Sequence, residues 1–228
     1  MSRTTTTALA LALTLAVPAT VAVAKQPPKA PKPPAPASNQ VTLAAAPNPI
    51  VFGAATTLSG KLGGNGAGGQ TIVIEANPFP FAAYKALTTV KTAANGTFSA
   101  AVKPGVSTRY RVTAKTSPQI VSGETKVGVR ILAGLILGDS TPRRGARVVF
   151  SGRAYPAHDG ALVSIRRRSS TGSYVTVART QLVDDGTARS RYRRAVRIRS
   201  TGVYQVRIAS TDGDHLAGIS RARRITVH

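Results

Sequence analysis

The sequence predicts an all-β chain built as two tandem antiparallel β-sandwiches, and three observations carry that expectation. Beyond residue 41, short runs of Val, Ile, Thr and Tyr alternate with polar residues, and no window keeps the i, i+3, i+4 apolar stripe of a helix. Five segments recur in one order roughly ninety residues apart. Turn residues fall every 8 to 12 positions, the spacing of a sandwich with about seven strands.

Residues 1–24 read as a signal peptide: Arg3, the apolar run ALALALTLAV from Ala8 to Val17, and the A-x-A site Ala22-Val23-Ala24. The run is too short for a membrane span and is followed by Pro18, so no membrane span is expected in the mature chain. Residues 25–40 form a linker that opens KQPPKAPKPPAPAS, where proline favours extended polyproline II and lysine keeps it solvated. At roughly 3.1 Å per residue its Pro-rich part reaches about 40 Å. These two segments point to a secreted protein, extracellular or associated with the cell envelope. The chain has no Cys, so packing alone must stabilise it.

The repeat sets the two domains at 41–129 and 130–228. Phe52-GAATTLSGK matches Arg144-GARVVFSGR, Gly69-QTIVIE matches Gly160-ALVSIR, and Tyr84-KALTTVKT matches Tyr174-VTVARTQ. Asn95-Gly96-Thr97 matches Asp185-Gly186-Thr187, and the segment Arg109 to Val112 matches Val203 to Val206. A period near ninety is far above that of solenoid repeats and corresponds to whole domains. Asn95-Gly96 and Asp185-Gly186 are hairpin turns, because both residue types tolerate positive φ. The Gly-rich stretch from Gly63 to Gly69 lacks the Lys-Ser/Thr ending of a phosphate loop, so it is a strand connection.

The shared order G-x-x-x-x-(L/F)-S-G-(K/R), then G-x-x-(V/I)-x-I, Y-x-x-(L/V), (N/D)-G-T and Y-x-V resembles the bacterial immunoglobulin-like domains found in tandem in exported proteins. Gly202-Val-Tyr204-Gln-Val206 resembles the tyrosine-corner strand of such sandwiches, with Val206 at the place of the disulfide Cys. In the first repeat Thr108 replaces the glycine and Val112 the Cys. The resemblance implies immunoglobulin-like sandwiches, with Tyr110 and Tyr204 buried and their hydroxyls bonded to backbone. It implies a fold and no particular chemistry.

Net charge is +23, and it is uneven: from Arg130 onward there are nineteen Arg, no Lys and six acids. A charge of this size favours polyanionic partners. Alternation, with Thr187–Arg193 aligned to Thr97–Lys103, turns Ala188, Ser190 and Tyr192 inward and Arg189, Arg191 and Arg193 outward. Arg197 and Arg199 share a face opposite Val196 and Ile198, and Arg207 lies outward between Val206 and Ile208. These six arginines are the candidate contacts for an acidic polymer or another cell-envelope component. Arg166, Arg167 and Arg168 end a strand at the turn SSTG and read as a solvated loop entry.

No chemistry of catalysis or cofactor binding is visible. There is no nucleophile elbow and no H-E-x-x-H, and Glu75 and Glu124 are the only acids of the first domain. His158, His215 and His228 are far apart in sequence, and Asp212-Gly-Asp214-His215 reads as a loop built of turn residues, so no metal site is assigned. Two functions stay open: a non-catalytic structural or interaction module with a solvated arginine face, and a polyanion binder that uses that face.

Overall fold

The structure is a computed structural model that describes residues 39–210 and 212–228. The expected signal peptide, and all of the expected linker but its last two residues, lie outside the described residues. The second of these, Gln40, is already tied to the first repeat: the Gly63 N–H donates to its carbonyl at 2.8 Å.

The first repeat runs β1 (Ala44–Ala46), β2 (Ile50–Val51), β3 (Thr56–Lys61), β4 (Thr71–Pro78), β5 (Lys85–Lys91) and β6 (Thr97–Val102). It ends with β7 (Thr108–Ala114), β8 (Ile120–Val121) and β9 (Thr125–Val127), followed by β10 (Val129–Arg130). One sheet has the order β1-β3-β6 and the other β5-β4-β7, with β8 and β9 as two halves of a strand along the far side of β7. The second repeat runs β11 (Leu132–Ala133), β12 (Ile136–Leu137), β13 (Arg147–Tyr155), β14 (Leu162–Arg168) and β15 (Tyr174–Gln181). It continues with β16 (Val183–Asp184), β17 (Ser190–Arg197), β18 (Gly202–Ile208), β19 (Gly218–Ile219) and β20 (Arg223–Ile225). Its sheets have the same plan: β11 and β12 on β13, then β17; and β15-β14-β18, then β19 and β20. The fold is therefore all-β, two immunoglobulin-like sandwiches in tandem, and no helix occurs among the described residues.

Period-2 alternation builds each core. Leu58, Ile72, Ile74, Phe98, Tyr110 and Val112 fill the first, and Phe150, Val163, Ile165, Tyr192, Tyr204 and Val206 the second. The repeat extends to irregularities, since β4 breaks register between Ile74 and Glu75, and β14 between Ile165 and Arg166. Two departures from a purely antiparallel, seven-strand plan occur. The entering segment of repeat one leaves β1, and β2 runs beside β10 in the same direction and pairs parallel to it as a separate two-stranded ladder. The second repeat gains the short β16, which pairs antiparallel with the start of β17.

The shared S-G-(K/R) motif has a steric cause. A side chain at Gly60 would collide with the Thr42 carbonyl and the Phe98 ring, and one at Gly152 with the Gly134 carbonyl and the Tyr192 ring. The entering strand crosses above these glycines, and an aromatic from the third strand packs beneath it. Tyr192 adds a hydrogen bond of 2.8 Å from its hydroxyl to the Gly134 carbonyl. The first glycine of the motif, Gly53 or Gly145, serves a turn at φ +85° in both repeats.

A second shared device closes the edge. Between β8 and β9, Ser122 Oγ accepts the Val112 N–H at 2.9 Å; between β19 and β20, Ser220 Oγ accepts the Val206 N–H at 2.9 Å. Each serine's own N–H donates to the carbonyl of that same valine at 2.9 Å. The ladder is thus kept through the split in the last strand.

Two stability measurements check these assignments. Gly152→Ala should lose about 1–3 kcal/mol in denaturant unfolding, from overpacking against fixed backbone. Ser220→Ala should lose about 1–3 kcal/mol by stranding the buried Val206 N–H. A loss below about 0.5 kcal/mol for Gly152→Ala, within the range of neutral surface changes, contradicts the crossing.

Candidate functional site

The basic face is built on β13 and β17. Their register sets Arg153 opposite Arg191, Ser151 opposite Arg193, and Arg147 opposite Arg197. Ser190 and Tyr192 point into the core, while Arg191, Arg193 and Arg197 are exposed. Outward arginines two apart on one strand are separated by about 7 Å.

The same positions in the first sandwich are occupied differently. There Gly60 faces Phe98, as Gly152 faces Tyr192, so Lys61 with Thr97 corresponds to Arg153 with Arg191, and Ser59 with Ser99 to Ser151 with Arg193. The structural offset is 94 residues, four more than the (N/D)-G-T match implies. The extra four residues belong to the hairpin that β16 creates. Four is an even number, so Arg191 and Arg193 keep the outward side expected of them. Ala188 and Arg189, however, fall in the added turn rather than on the strand, and Ala188 is exposed rather than inward.

Arg189 is not free for a ligand. Its Nε donates to Asp185 Oδ2 at 2.8 Å, and Arg153 Nε donates to the same oxygen at 2.9 Å. Arg191 approaches the other carboxylate oxygen at 4.0 Å. Burial pushes the Asp185 carboxyl up, yet the hydrogen bonds from Arg153 and Arg189 outweigh it and hold the group below the usual carboxylate range. Among the described residues no acid pairs with Arg147, Arg193 or Arg197.

Two of the six candidates stand apart. Arg199 is exposed in the loop beyond β17. Arg207 is exposed on β18, in the opposite sheet, so its side chain leaves the sandwich from the other face. Alternation reports which side of its own sheet a residue takes, and not which sheet that is. Arg167 and Arg168 are also engaged, bonding the Thr201 and Gly172 carbonyls, while Arg166 donates to the Tyr174 carbonyl at 2.8 Å.

A groove of about 520 Å³ runs along the basic face, with Gly134 and Gly152 in its lining, Leu132 and Ile136 on one side, and Arg191 and Arg193 on the other. Leu132 and Ile136 are 43% and 66% exposed, which gives the cationic wall an apolar companion.

The tyrosine-corner expectation is corrected in part. Tyr110 and Tyr204 are buried on equivalent strands, but no bond from either hydroxyl to a backbone carbonyl forms among the described residues. Tyr204 packs edge-on against Phe150 at 5.5 Å instead. The buried tyrosine that does bond backbone is Tyr192, inside the arginine stretch.

Glu75 and Glu124 are both paired with arginines of β7. Arg111 Nε donates to Glu75 Oε2 at 2.9 Å, joined by the Thr113 hydroxyl at 2.9 Å, and these bonds hold Glu75 below its ordinary pKa. Arg109 lies 3.7 Å from Glu124. Two histidines that the sequence separates are brought together: the His158 and His215 rings lie 5.0 Å apart beside Asp214.

No family model matches the chain, and no curated protein matches it. Among solved structures the chain is similar to a tetra-tandem repeat from the extending region of a large adhesion protein, at 14% identity and a TM-score of 0.36, over 83% of this chain and 50% of that one. It is also similar to the ectodomain of the teleost fish polymeric Ig receptor, at 12% identity and a TM-score of 0.35, over 82% of this chain and 98% of that one. The chain spans about half the length of the adhesion-protein structure.

Asp185 gives the face a pH signature. Its folded pKa lies below the ordinary 3.8, so its stabilising effect is present above that value and is lost as pH falls through the folded pKa. Asp185→Asn should melt lower than the parent at pH 7, and the gap should close below about pH 3.8. A gap that stays constant from pH 7 to pH 2.5 (roughly the span of carboxylate titration) contradicts the ion-pair assignment.

Proposed function

We propose that the chain is an exported, non-catalytic interaction module of two domains, 41–129 and 130–228, whose second sandwich holds an acidic polymer on the outer face of β13 and β17. The observation that carries this reading is the comparison between the repeats. At the outward positions of these strands the first sandwich has Lys61, Thr97, Ser99 and Lys103 where the second has Arg153, Arg191, Arg193 and Arg197, so the architecture does not require Arg191 or Arg193.

The arginines also work against the fold. Like charges directly opposite on neighbouring strands are destabilising, and Arg147 opposite Arg197 has no described acid to relieve it. Such a face is suited to repeated anionic groups, as on an acidic polysaccharide, a wall polymer or a nucleic-acid backbone. The apolar side of the groove, Leu132 and Ile136, offers contact to the uncharged parts of the chain. The bonding of Glu75 to Arg111 and Thr113 supports the non-catalytic reading, since that carboxylate is held as an ion-pair partner.

A second reading has its own observation. Among the described residues, and beyond its pairing with β16, strand β17 has only β13 as a ladder neighbour, and exposed arginines discourage another strand from adding to that open edge. On this reading the module is a spacer with a solvated face.

Salt dependence separates the two. Each anionic group neutralised on a single-stranded polymer adds about 0.7 to the negative slope of log affinity against log salt, so three to five contacts give about −2 to −3.5. With a single-stranded oligonucleotide or polyphosphate as probe, substituting Arg191, Arg193 and Arg197 together by Ser should flatten the slope. Arg207→Ser, on the opposite sheet, should leave it unchanged. Equal, weak binding by the parent and the triple variant overturns the polymer reading in favour of the spacer.

A further inference from the structure

We propose that the junction of the two sandwiches is a binding site for one zinc-class divalent cation, held by His158, Asp214 and His215, with Asp212 at its edge beside His158. This site is independent of what the arginine face binds.

The four residues arrive on two loops of the second sandwich. His158 lies between β13 and β14, in a loop fixed by its N–H donating to Ser190 Oγ at 2.7 Å, while that hydroxyl donates to Asp159 Oδ1 at 2.6 Å. Asp212, Asp214 and His215 lie between β18 and β19. Both histidines are over nine-tenths buried, at 8% and 4% exposure.

Hydrogen bonding fixes the state of each ring. His215 Nε2 lies 2.8 Å from the Gly105 carbonyl, and His158 Nδ1 lies 3.1 Å from the Pro156 carbonyl. A carbonyl can only accept, so both nitrogens carry hydrogen, and in the neutral rings the other nitrogens are bare lone pairs. Those bare atoms, His158 Nε2 and His215 Nδ1, converge with Asp214 Oδ1. All three are buried and without hydrogen-bond partners.

Three acceptors facing one another with nothing to donate is a costly arrangement in a protein interior. One proton on His215 Nδ1 would join it to Asp214 Oδ1 at 2.8 Å but leave His158 Nε2 bare, and a second proton would place two imidazolium charges side by side under burial. One divalent cation satisfies every atom at once. Histidines whose far nitrogen donates to a backbone carbonyl are oriented as metal ligands are.

The spacing fits the chemistry. His158 Nε2 lies 3.6 Å from Asp214 Oδ1 and 3.4 Å from Asp212 Oδ2, and His215 Nδ1 lies 2.8 Å from Asp214 Oδ1. Bonds of 2.0–2.1 Å in a tetrahedron put ligand atoms about 3.3 Å apart, which these separations bracket. Two imidazoles and one carboxylate, with a second carboxylate at the edge, select a borderline cation such as zinc over calcium, which takes six to eight oxygens.

The cation would also brace the junction. The loop that carries Asp214 and His215 grips the first sandwich: Ser107 N–H donates to the Asp214 carbonyl at 2.7 Å, and His215 Nε2 bonds Gly105. Fixing that loop to His158 ties the first sandwich to the second through the same ion.

Titration of the metal-free full chain with zinc, followed by calorimetry and melting, tests the site. One zinc should bind per chain and raise the melting temperature, with excess calcium failing to displace it. Cobalt in its place should give the visible absorption of a tetrahedral centre. Asp212→Asn should weaken zinc binding by about tenfold or more without moving the metal-free melting temperature, because Asp212 is half exposed and at the edge of the cluster. His158→Gln should abolish binding, and His228→Ala should leave it intact. The Asp212 variant keeps the test valid if the histidine variant does not fold. Absence of saturable one-to-one binding, affinity unmoved by Asp212→Asn, or two doubly protonated rings in nitrogen NMR of the zinc-treated protein overturns the proposal.

Discussion

The carbonyl of Gly134 lies over the α-carbon of Gly152, where any side chain would meet it, and Tyr192 donates its hydroxyl to that same oxygen from the neighbouring strand. Three strands are locked by this contact: the entering strand, β13 and β17. It fixes the register of β17 against β13, and register decides which residues of β17 face the core. A slip of one position would carry Tyr192 outward and bring Arg191 and Arg193 onto apolar side chains. The orientation of the whole arginine row thus follows from a glycine and a tyrosine that are not themselves charged.

The first sandwich shows the same lock without the charges. Gly60, the Thr42 carbonyl and the Phe98 ring reproduce it, yet the strand that follows is TFSAAV instead of SRYRRAVR. Stability and surface chemistry are therefore separable in this fold. The core side of the strand is set by packing, and the outer side is available for selection of another kind. In the second sandwich that outer side carries like charges in register, relieved at one end by Asp185 and unrelieved at the other.

Much of this was legible in the sequence, for physical reasons that also mark where it stopped. Alternation and the ninety-residue repeat report directly on strands and on domain count, since burial on one face imposes a period of two. The outward side of Arg191 and Arg193 was legible despite a four-residue misalignment, because an even shift preserves parity. Arg189 was misplaced by that same shift, as the added hairpin carries no marker beyond Asp185-Gly186. Arg207 was grouped with the others because alternation is blind to which of two sheets a strand joins. The backbone bond was expected of Tyr204 and belongs to Tyr192, since the corner motif describes a strand and not the crossing that supplies the acceptor. His158 and His215 share no local spacing at all. They meet because two loops at one end of a sandwich meet, and only the tertiary fold brings those loops together.

On the proposed function, the arginines of β17 are carried for a ligand and not for the fold. Thermal unfolding of the double variant Arg193→Ser, Arg197→Ser, at low and at high salt, tests it most directly. The variant should be at least as stable as the parent at low salt, by a few tenths of a kcal/mol, with the difference fading as salt screens the opposed charges. A variant that loses more than about 1 kcal/mol at both salt concentrations would show instead that the arginines hold the sandwich together.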